Sequence, residues 1–260
     1  MTDYKSILRA FAPISLNEME SVKLMNRIDT KFAVNIHQLP AILQKARNLY
    51  YAQEIDGVRL ATYDTVYYDT EDCDMYIRHH NRQLVRQKIR IRQYVDSRLT
   101  FLEIKRKNNR GRTKKKRIII AGFNPSGEDT GKGKEIVKIA DFIESKSRYT
   151  WDVISPHLRT CFRRITLVNK AKTERLTIDL NLEWTNLING TRKTFPDLVI
   201  IELKRDGNVP SPMLRIMNEE RVQPLKISKY CIGTALTTPH IKKNRFKAKI
   251  RRIEKLLNNE

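Results

Sequence analysis

The chain is poor in the residues that staple or interrupt a fold. Its three cysteines, Cys73, Cys161 and Cys231, are odd in number and widely spaced, which speaks against a disulfide framework or a cysteine-based zinc motif. Nine glycines and nine prolines in 260 residues form no low-complexity linker, and no internal repeat is present. No apolar run approaches the ~18–20 residues that a membrane-spanning helix requires. The opening segment MTDYKSILRAFAPISLNEME carries acids early and lacks an unbroken apolar stretch, so it does not read as a signal peptide. These absences point to a soluble, cytoplasmic protein. Acidic residues are also scarce: 29 Asp and Glu face 51 Lys and Arg, a net charge of +22. Such a balance calls for a polyanionic partner, whether nucleic acid, anionic membrane or a phosphate compound. Hydrophobic residues at 40% and aromatics at 8% still suffice for a packed core.

Strands dominate from Arg59 onward. The periodicity predicts them at 60–68, 84–95, 99–107, 113–121, 158–169, 174–184 and 196–205, each rich in β-branched residues and bounded by turn formers. Residues 25–32 also alternate. Helical spacing covers much of the first thirty residues, then 38–50, 133–148 and 211–221, and a basic terminal helix. Many strands without βαβ alternation favour an α+β fold, with an antiparallel sheet or closed barrel and helices outside it. The expected domain is 1–240, followed by a basic helical tail at 241–260.

Residues i, i+2 and i+4 of a strand share a face. In 84–94 this puts Arg86, Lys88, Arg90, Arg92 and Tyr94 on one side, with Val85, Ile89 and Ile91 on the other. Glu103, Lys105 and Lys107 align in the next strand, then Lys115 with Arg117, Arg175 with Thr177 and Asp179, and Glu202 with Lys204. One such strand is an ordinary half-wet sheet face. Five together are not, because like charges facing each other cost free energy unless something neutralises them. If the sheet closes, these side chains line its inside and the apolar face packs under the outer helices, an inversion of the usual small barrel.

The ordered series Arg27-x-Asp29-x-Lys31, Tyr67-Tyr-Asp69-Thr, Arg90-x-Arg92-x-Tyr94, Leu102-Glu-Ile-Lys105, Lys115-x-Arg117, Phe162-Arg-Arg164, Arg175-Leu-Thr-Ile-Asp179, Ile201-Glu-Leu-Lys204 and Ser228-Lys-Tyr230 resembles the VTC domain. This is the polyphosphate polymerase domain of the vacuolar transporter chaperone family, within the triphosphate tunnel metalloenzymes; the likeness is to a stand-alone bacterial-type member. The resemblance runs from about residue 14 to about 235. It implies an eight-stranded antiparallel tunnel with flanking helices. It also implies an enzyme that moves the γ-phosphate of ATP onto a polyphosphate chain. By position, Lys31, Arg90, Arg92, Lys105, Lys115, Arg117, Arg164, Arg175, Lys204 and Lys229 would bind phosphates. Glu202 would hold a divalent metal, Mn²⁺ or Mg²⁺, with Glu103, Asp179 and Asp29 as the next candidates. The superfamily's Glu-x-Glu-x-Lys signature reads Arg27-Ile-Asp29-Thr-Lys31 here, so a cation replaces one carboxylate.

Three alternatives stay open at this level. One is a tripolyphosphatase or nucleoside triphosphatase of the same fold, since polymerase and hydrolase differ only in the acceptor. Another is a non-catalytic polyphosphate-binding protein. The third is a nucleic-acid-binding protein, for which Lys114–Arg117 and the terminal cations are the features; the tunnel-face position of Lys115 and Arg117 argues against it. The terminal helix could make weak contact with an anionic surface. Gly127–Lys134 has the glycines and lysines of a P-loop without its spacing and reads as a loop. His79-His80 reads as a helix end or turn, and Tyr63, Tyr67 and Tyr68 as strand packing.

Overall fold

The computed structural model describes residues 3–20, 27–121, 134–207 and 209–258. Gly127–Gly133 of the glycine-rich stretch, and the first residues of the 25–32 alternation, lie outside these. The helices are α1 (Tyr4–Arg9), α2 (Leu16–Glu20), α3 (Leu39–Ala46), α4 (Asp74–His80), α5 (Lys134–Lys146), α6 (Pro212–Glu219), α7 (Lys229–Thr237) and α8 (Asn244–Asn258). The strands are β1 (Ala12–Ile14), β2 (Arg27–Asn35), β3 (Tyr50–Gln53), β4 (Ala61–Asp69), β5 (Arg86–Tyr94), β6 (Leu99–Lys107), β7 (Thr113–Ile119), β8 (Ser155–Asn169), β9 (Glu174–Asn186), β10 (Arg192–Phe195) and β11 (Leu198–Asp206). All the predicted strands form, with ends shifted by a few residues. The short β1, β3 and β10 and the helices α4 and α7 carry too few periodic residues to be read from sequence.

The main sheet runs β2-β11-β9-β8-β4-β5-β6-β7, with every neighbouring pair antiparallel. Its convex face is apolar. Phe32, Val34, Ile165, Leu176, Ile178, Val199 and Ile201 pack against Leu39, Ile42 and Leu43 of α3 and Met213 and Met217 of α6. Val66, Ile89, Ile91, Leu102 and Ile104 pack against Ile139 and Ile143 of α5. The concave face is left for polar side chains.

The expected closed barrel is not what forms. The eight strands make an open half-barrel spanning 198°, with edges 10 Å apart. That is about twice the 4.7–4.9 Å between hydrogen-bonded strands. Two features keep the edges apart. The outer edge of β2 is engaged by the chain after α6: Leu225 N–H donates to the Lys31 carbonyl (2.7 Å), beside an isolated bridge between Phe32 and Pro224. The edges are also both cationic, with Arg27 and Lys31 on β2 and Lys114, Lys115, Lys116 and Arg117 on β7, so zipping them together would oppose like charges.

One strand changes face partway. Leu176, Ile178 and Leu180 of β9 point to the convex core, but Asn181, at φ +52°, sits in a bulge opposite Cys161–Arg163 of β8. Beyond this bulge the facing is reversed, and Leu182 and Trp184 join Leu158 and Phe162 under α7. Helix α7 is therefore seated on the concave side at one end of the sheet. Tyr230 stacks on Tyr67 at 5.0 Å and donates to Asp69, whose carboxylate also accepts from the backbone N–H groups of Met75 (2.8 Å) and Tyr76 (3.0 Å) at the start of α4. Gly233 is required there, since a Cβ would lie 2.3 Å from Trp184 Cδ1. Basic α8 packs on the body through Phe246 and Ile253, and the Leu256 carbonyl accepts from the Asn35 side chain at 3.3 Å.

Candidate functional site

Strand register carries the cations into one concavity. Arg90 lies opposite Glu103, which lies opposite Arg117; one rung along, Lys88, Lys105 and Lys115 are aligned. On the other flank Lys204 faces Arg175 and Asp29, and Glu202 faces Lys31 and Thr177. Arg164 faces Asp179 across β8 and β9. Lys229 reaches the same carboxylate from the first turn of α7. All ten phosphate-site candidates from the sequence thus lie on the concave side, nine on strands and Lys229 on a helix.

Carboxylates are few and are shared between cations. Fully buried Glu103 accepts from Arg90 Nε (2.7 Å) and pairs with Lys115. Fully buried Asp179 takes a two-pronged contact from Arg164 (2.5 and 2.8 Å) and a third from Lys229. Glu202 lies more loosely between Lys31 (3.8 Å) and Lys204 (3.5 Å). Burial alone would raise the pKa of these three acids, but the facing cations outweigh it and hold all three well below the usual carboxylate range.

The surplus cations define the site. Lys88, Arg92, Lys105, Arg117 and Arg175 make no ion pair among the described residues. Among the described residues Arg92 donates only to Thr65 Oγ1 (3.1 Å), and Lys88 only to Ser228 Oγ (2.6 Å) at the N-cap of α7. Repulsion from Arg90, then burial, pushes the Lys105 ammonium well below its ordinary pKa. Burial takes Lys204 down to about 8 despite Glu202. Burial, with Arg27 and Arg164 nearby, depresses Arg175 in the same direction. Lys105 and Arg175 lack a paired counter-charge and Lys204 has only the long contact with Glu202, and an anion with many oxygens would supply what is missing.

Aromatic rings fix where these guanidinium groups point. Arg164 lies 4.7 Å over the Tyr63 ring and Arg92 5.3 Å over it, while Lys229 is 4.9 Å from the Phe162 ring centre. Arg90 also donates to the Tyr67 hydroxyl (3.3 Å). Tyr63 and Tyr67, read from sequence as packing, thus also support the site, whereas Tyr68 is in the convex core. Lys88 shares the cationic face in sequence, but only its contact with α7 separates it from its solvent-facing neighbour Arg86.

A divalent metal has limited room here. Among the described residues no three His, Cys, Asp or Glu side chains converge on a metal position. Glu103 and Asp179 are occupied by close cations, and Asp29 is turned to Arg27 (2.6 Å). Glu202, with both ion pairs long, is the carboxylate with oxygens to spare. That donor set fits an ion taking most ligands from phosphate and water, as Mg²⁺ and Mn²⁺ do, and does not fit a protein-only cage.

The VTC domain model matches residues 26–238. The chain belongs to the VTC domain family. The matched span runs from the start of β2 to the end of α7, and so includes every strand of the main sheet. No curated protein matches the chain in sequence. Among solved structures it is similar to a candidate adenylate cyclase from Vibrio parahaemolyticus (10% identity, 81% of this chain and 99% of that one, TM-score 0.46). It is also similar to an adenylyl cyclase candidate from Hippeastrum described as having a dominant triphosphatase activity (16% identity, 82% and 98%, TM-score 0.47). A third is a conserved hypothetical protein from Pyrococcus furiosus (12% identity, 79% and 99%, TM-score 0.43).

Proposed function

We propose that this VTC domain is a phosphotransferase that moves the γ-phosphoryl of ATP onto the end of a polyphosphate chain held along its concave face. The observation that carries the reading is the surplus of cations without an ion pair among the described residues, buried Arg92 and half-buried Lys105 and Arg175 above all, in a domain whose family handles polyphosphate. An oxygen of the chain's terminal phosphate attacks the γ-phosphorus, the bond to the β,γ-bridging oxygen breaks, and ADP leaves with that electron pair. The chain grows by one phosphate.

Such a transfer asks little covalent work of a protein and much alignment and neutralisation of charge. Arg90, Arg92, Arg164, Arg175 and Arg117 offer planar two-pronged contacts to phosphate oxygens, and Lys31, Lys105, Lys115, Lys204 and Lys229 compact charges between them. Their placement on different strands, and for Lys229 on α7, would hold donor and acceptor phosphates in line. Tyr63 and Phe162 keep the guanidinium planes aimed inward. Glu202 would anchor Mn²⁺ or Mg²⁺ bound with the triphosphate. When bound, that ion neutralises charge between the phosphates and polarises the bond to be broken. No helix of the described chain is long and apolar enough to cross a membrane.

The test is incubation of purified protein with ATP and Mn²⁺, followed by electrophoresis for polyphosphate. Chain growth is expected. Free phosphate without chain growth would make the protein a triphosphatase of the same fold, and no turnover with any triphosphate would leave a binding module.

A further inference from the structure

Among the described residues β2 pairs as a strand only with β11 and β7 only with β6, and these two edges of the half-barrel stand 10 Å apart, a slot between them. Each strand in the series runs opposite to its neighbour, so β2 and β7 are oriented to pair antiparallel, yet they stand about one strand-width too far apart. Among the described residues the outer side of β2 is met by Pro224 and Leu225, by the Ile227 carbonyl, which accepts from Lys31 Nζ (3.1 Å), and by α8 at Asn35, which leaves Arg27–Thr30 of that edge without such a contact. Both banks are cationic and open to solvent: Arg27 and Lys31 on β2 are 45% and 31% exposed, and Lys115 on β7 is 37% exposed. Exposed Lys226 continues the β2 bank, and exposed Arg117 sits two residues beyond Lys115 on the other.

A closed tunnel accepts a polymer only by its end, whereas an open slot accepts it anywhere along its length. We propose that long polyphosphate enters and leaves the site sideways through the slot between β2 and β7, so that the protein holds internal stretches of the chain as well as its ends. This rests on the polyphosphate reading above and adds the route. The slot suits a bare linear chain with charge on every unit. A single-stranded nucleic acid would need exposed aromatic faces on which to stack its bases; among the described residues Tyr63 and Phe162 are buried beneath guanidinium groups, and the half-buried Phe101 ring is covered by Arg117 at 4.6 Å.

The experiment compares three ligands: free-ended long-chain polyphosphate, the same polymer with a biotin–streptavidin block at both ends, and tripolyphosphate. Affinities are read by competition against a fluorescent tripolyphosphate, with single-stranded RNA of similar charge as comparator. The sideways route predicts that blocking both ends weakens binding by less than about tenfold. A loss of tenfold or more with normal binding of the free-ended polymer overturns the route and leaves the polyphosphate reading intact. Failure of both free-ended polyphosphate and tripolyphosphate to bind overturns that reading and the route with it. Tighter binding of RNA than of the blocked polymer overturns the choice of occupant.

Discussion

Lys204 offers a direct measure of how far the empty site strains the fold. Its side chain is 14% exposed, and burial depresses its pKa from 10.5 to about 8, with Glu202 only partly offsetting the effect. Each tenfold change in a proton equilibrium is worth about 1.4 kcal/mol, so charged Lys204 costs the ligand-free protein about 3 kcal/mol. The sign follows from proton counts. Between pH 8 and 10.5 the unfolded chain binds the Lys204 proton and the folded chain does not, so this contribution makes stability rise with pH. The thiols of Cys73 and Cys161 act oppositely: burial pushes them up to about 11 and about 12, and unfolded thiols ionise first. Comparison of wild type with Lys204→Met removes that background. In urea unfolding at several pH values, wild type should gain about 3 kcal/mol relative to Lys204→Met between pH 7 and 10.5. A difference that stays flat across that range would refute the strain. Saturating tripolyphosphate should hold the Lys204 proton in place and remove most of the pH dependence.

The other substitutions separate binding from turnover and from folding. Glu202→Gln should abolish metal-dependent turnover while retaining or strengthening metal-free binding of tripolyphosphate by calorimetry; full activity with Mn²⁺ would move the metal role to Glu103 or Asp179. Arg90→Ala should weaken tripolyphosphate binding by about 1.5–3 kcal/mol for each charged hydrogen bond lost, and Arg92→Ala likewise, both read by titration. Gly233→Ala should destabilise the fold by about 1–3 kcal/mol in urea unfolding, because the added methyl meets the buried Trp184 ring. A neutral effect would mean that α7 shifts freely on its seat.

Sequence made the straight strands legible and left the irregular ones hidden. In β5 the alternation of Arg90 and Arg92 with Ile89 and Ile91 fixes both faces, because a strand's side-chain period is two and one face must be dry. The same rule holds in β6 and β11. It fails in β9, where Leu176, Ile178, Leu180, Leu182 and Trp184 read as one unbroken apolar face, yet the bulge at Asn181 sends the last two to the concave side. A bulge leaves no mark on hydrophobic period. Helix α7 was hidden for a different reason. Its sequence KYCIGTALT is poor in strong helix formers, and it is held by tertiary contacts and by the Ser228 cap, whose oxygen accepts from Cys231 N–H. Openness of the sheet could not be read either, since it turns on where Pro224 and Leu225 dock. Among the carboxylates, Glu103, Asp179 and Glu202 look alike by alternation. Only the ion-pair distances separate the two that are occupied from the one that is loosely held.

Helix α7 joins ligand binding to folding. Lys229 shares Asp179 with Arg164, Ser228 receives Lys88, and Tyr230 bridges Tyr67 and Asp69. The helix is thus the one described element off the sheet that touches both flanks of the cationic face and the start of α4. Convex-face packing against α3, α5 and α6 stabilises the sheet without reference to the concave charges, so the fold can carry unpaired cations that would otherwise be removed by repacking. Those cations are costly without a ligand, because charge is buried with no partner or, for Lys204, with only a distant one. They become favourable when phosphate oxygens fill the space between the flanks. A ligand that binds only the folded state adds stability in proportion to the logarithm of its concentration over Kd, about 2.7 kcal/mol at a hundredfold excess. That gain is similar in size to the strain assigned to Lys204 alone, so the bound anion restores roughly what one buried cation costs the empty fold.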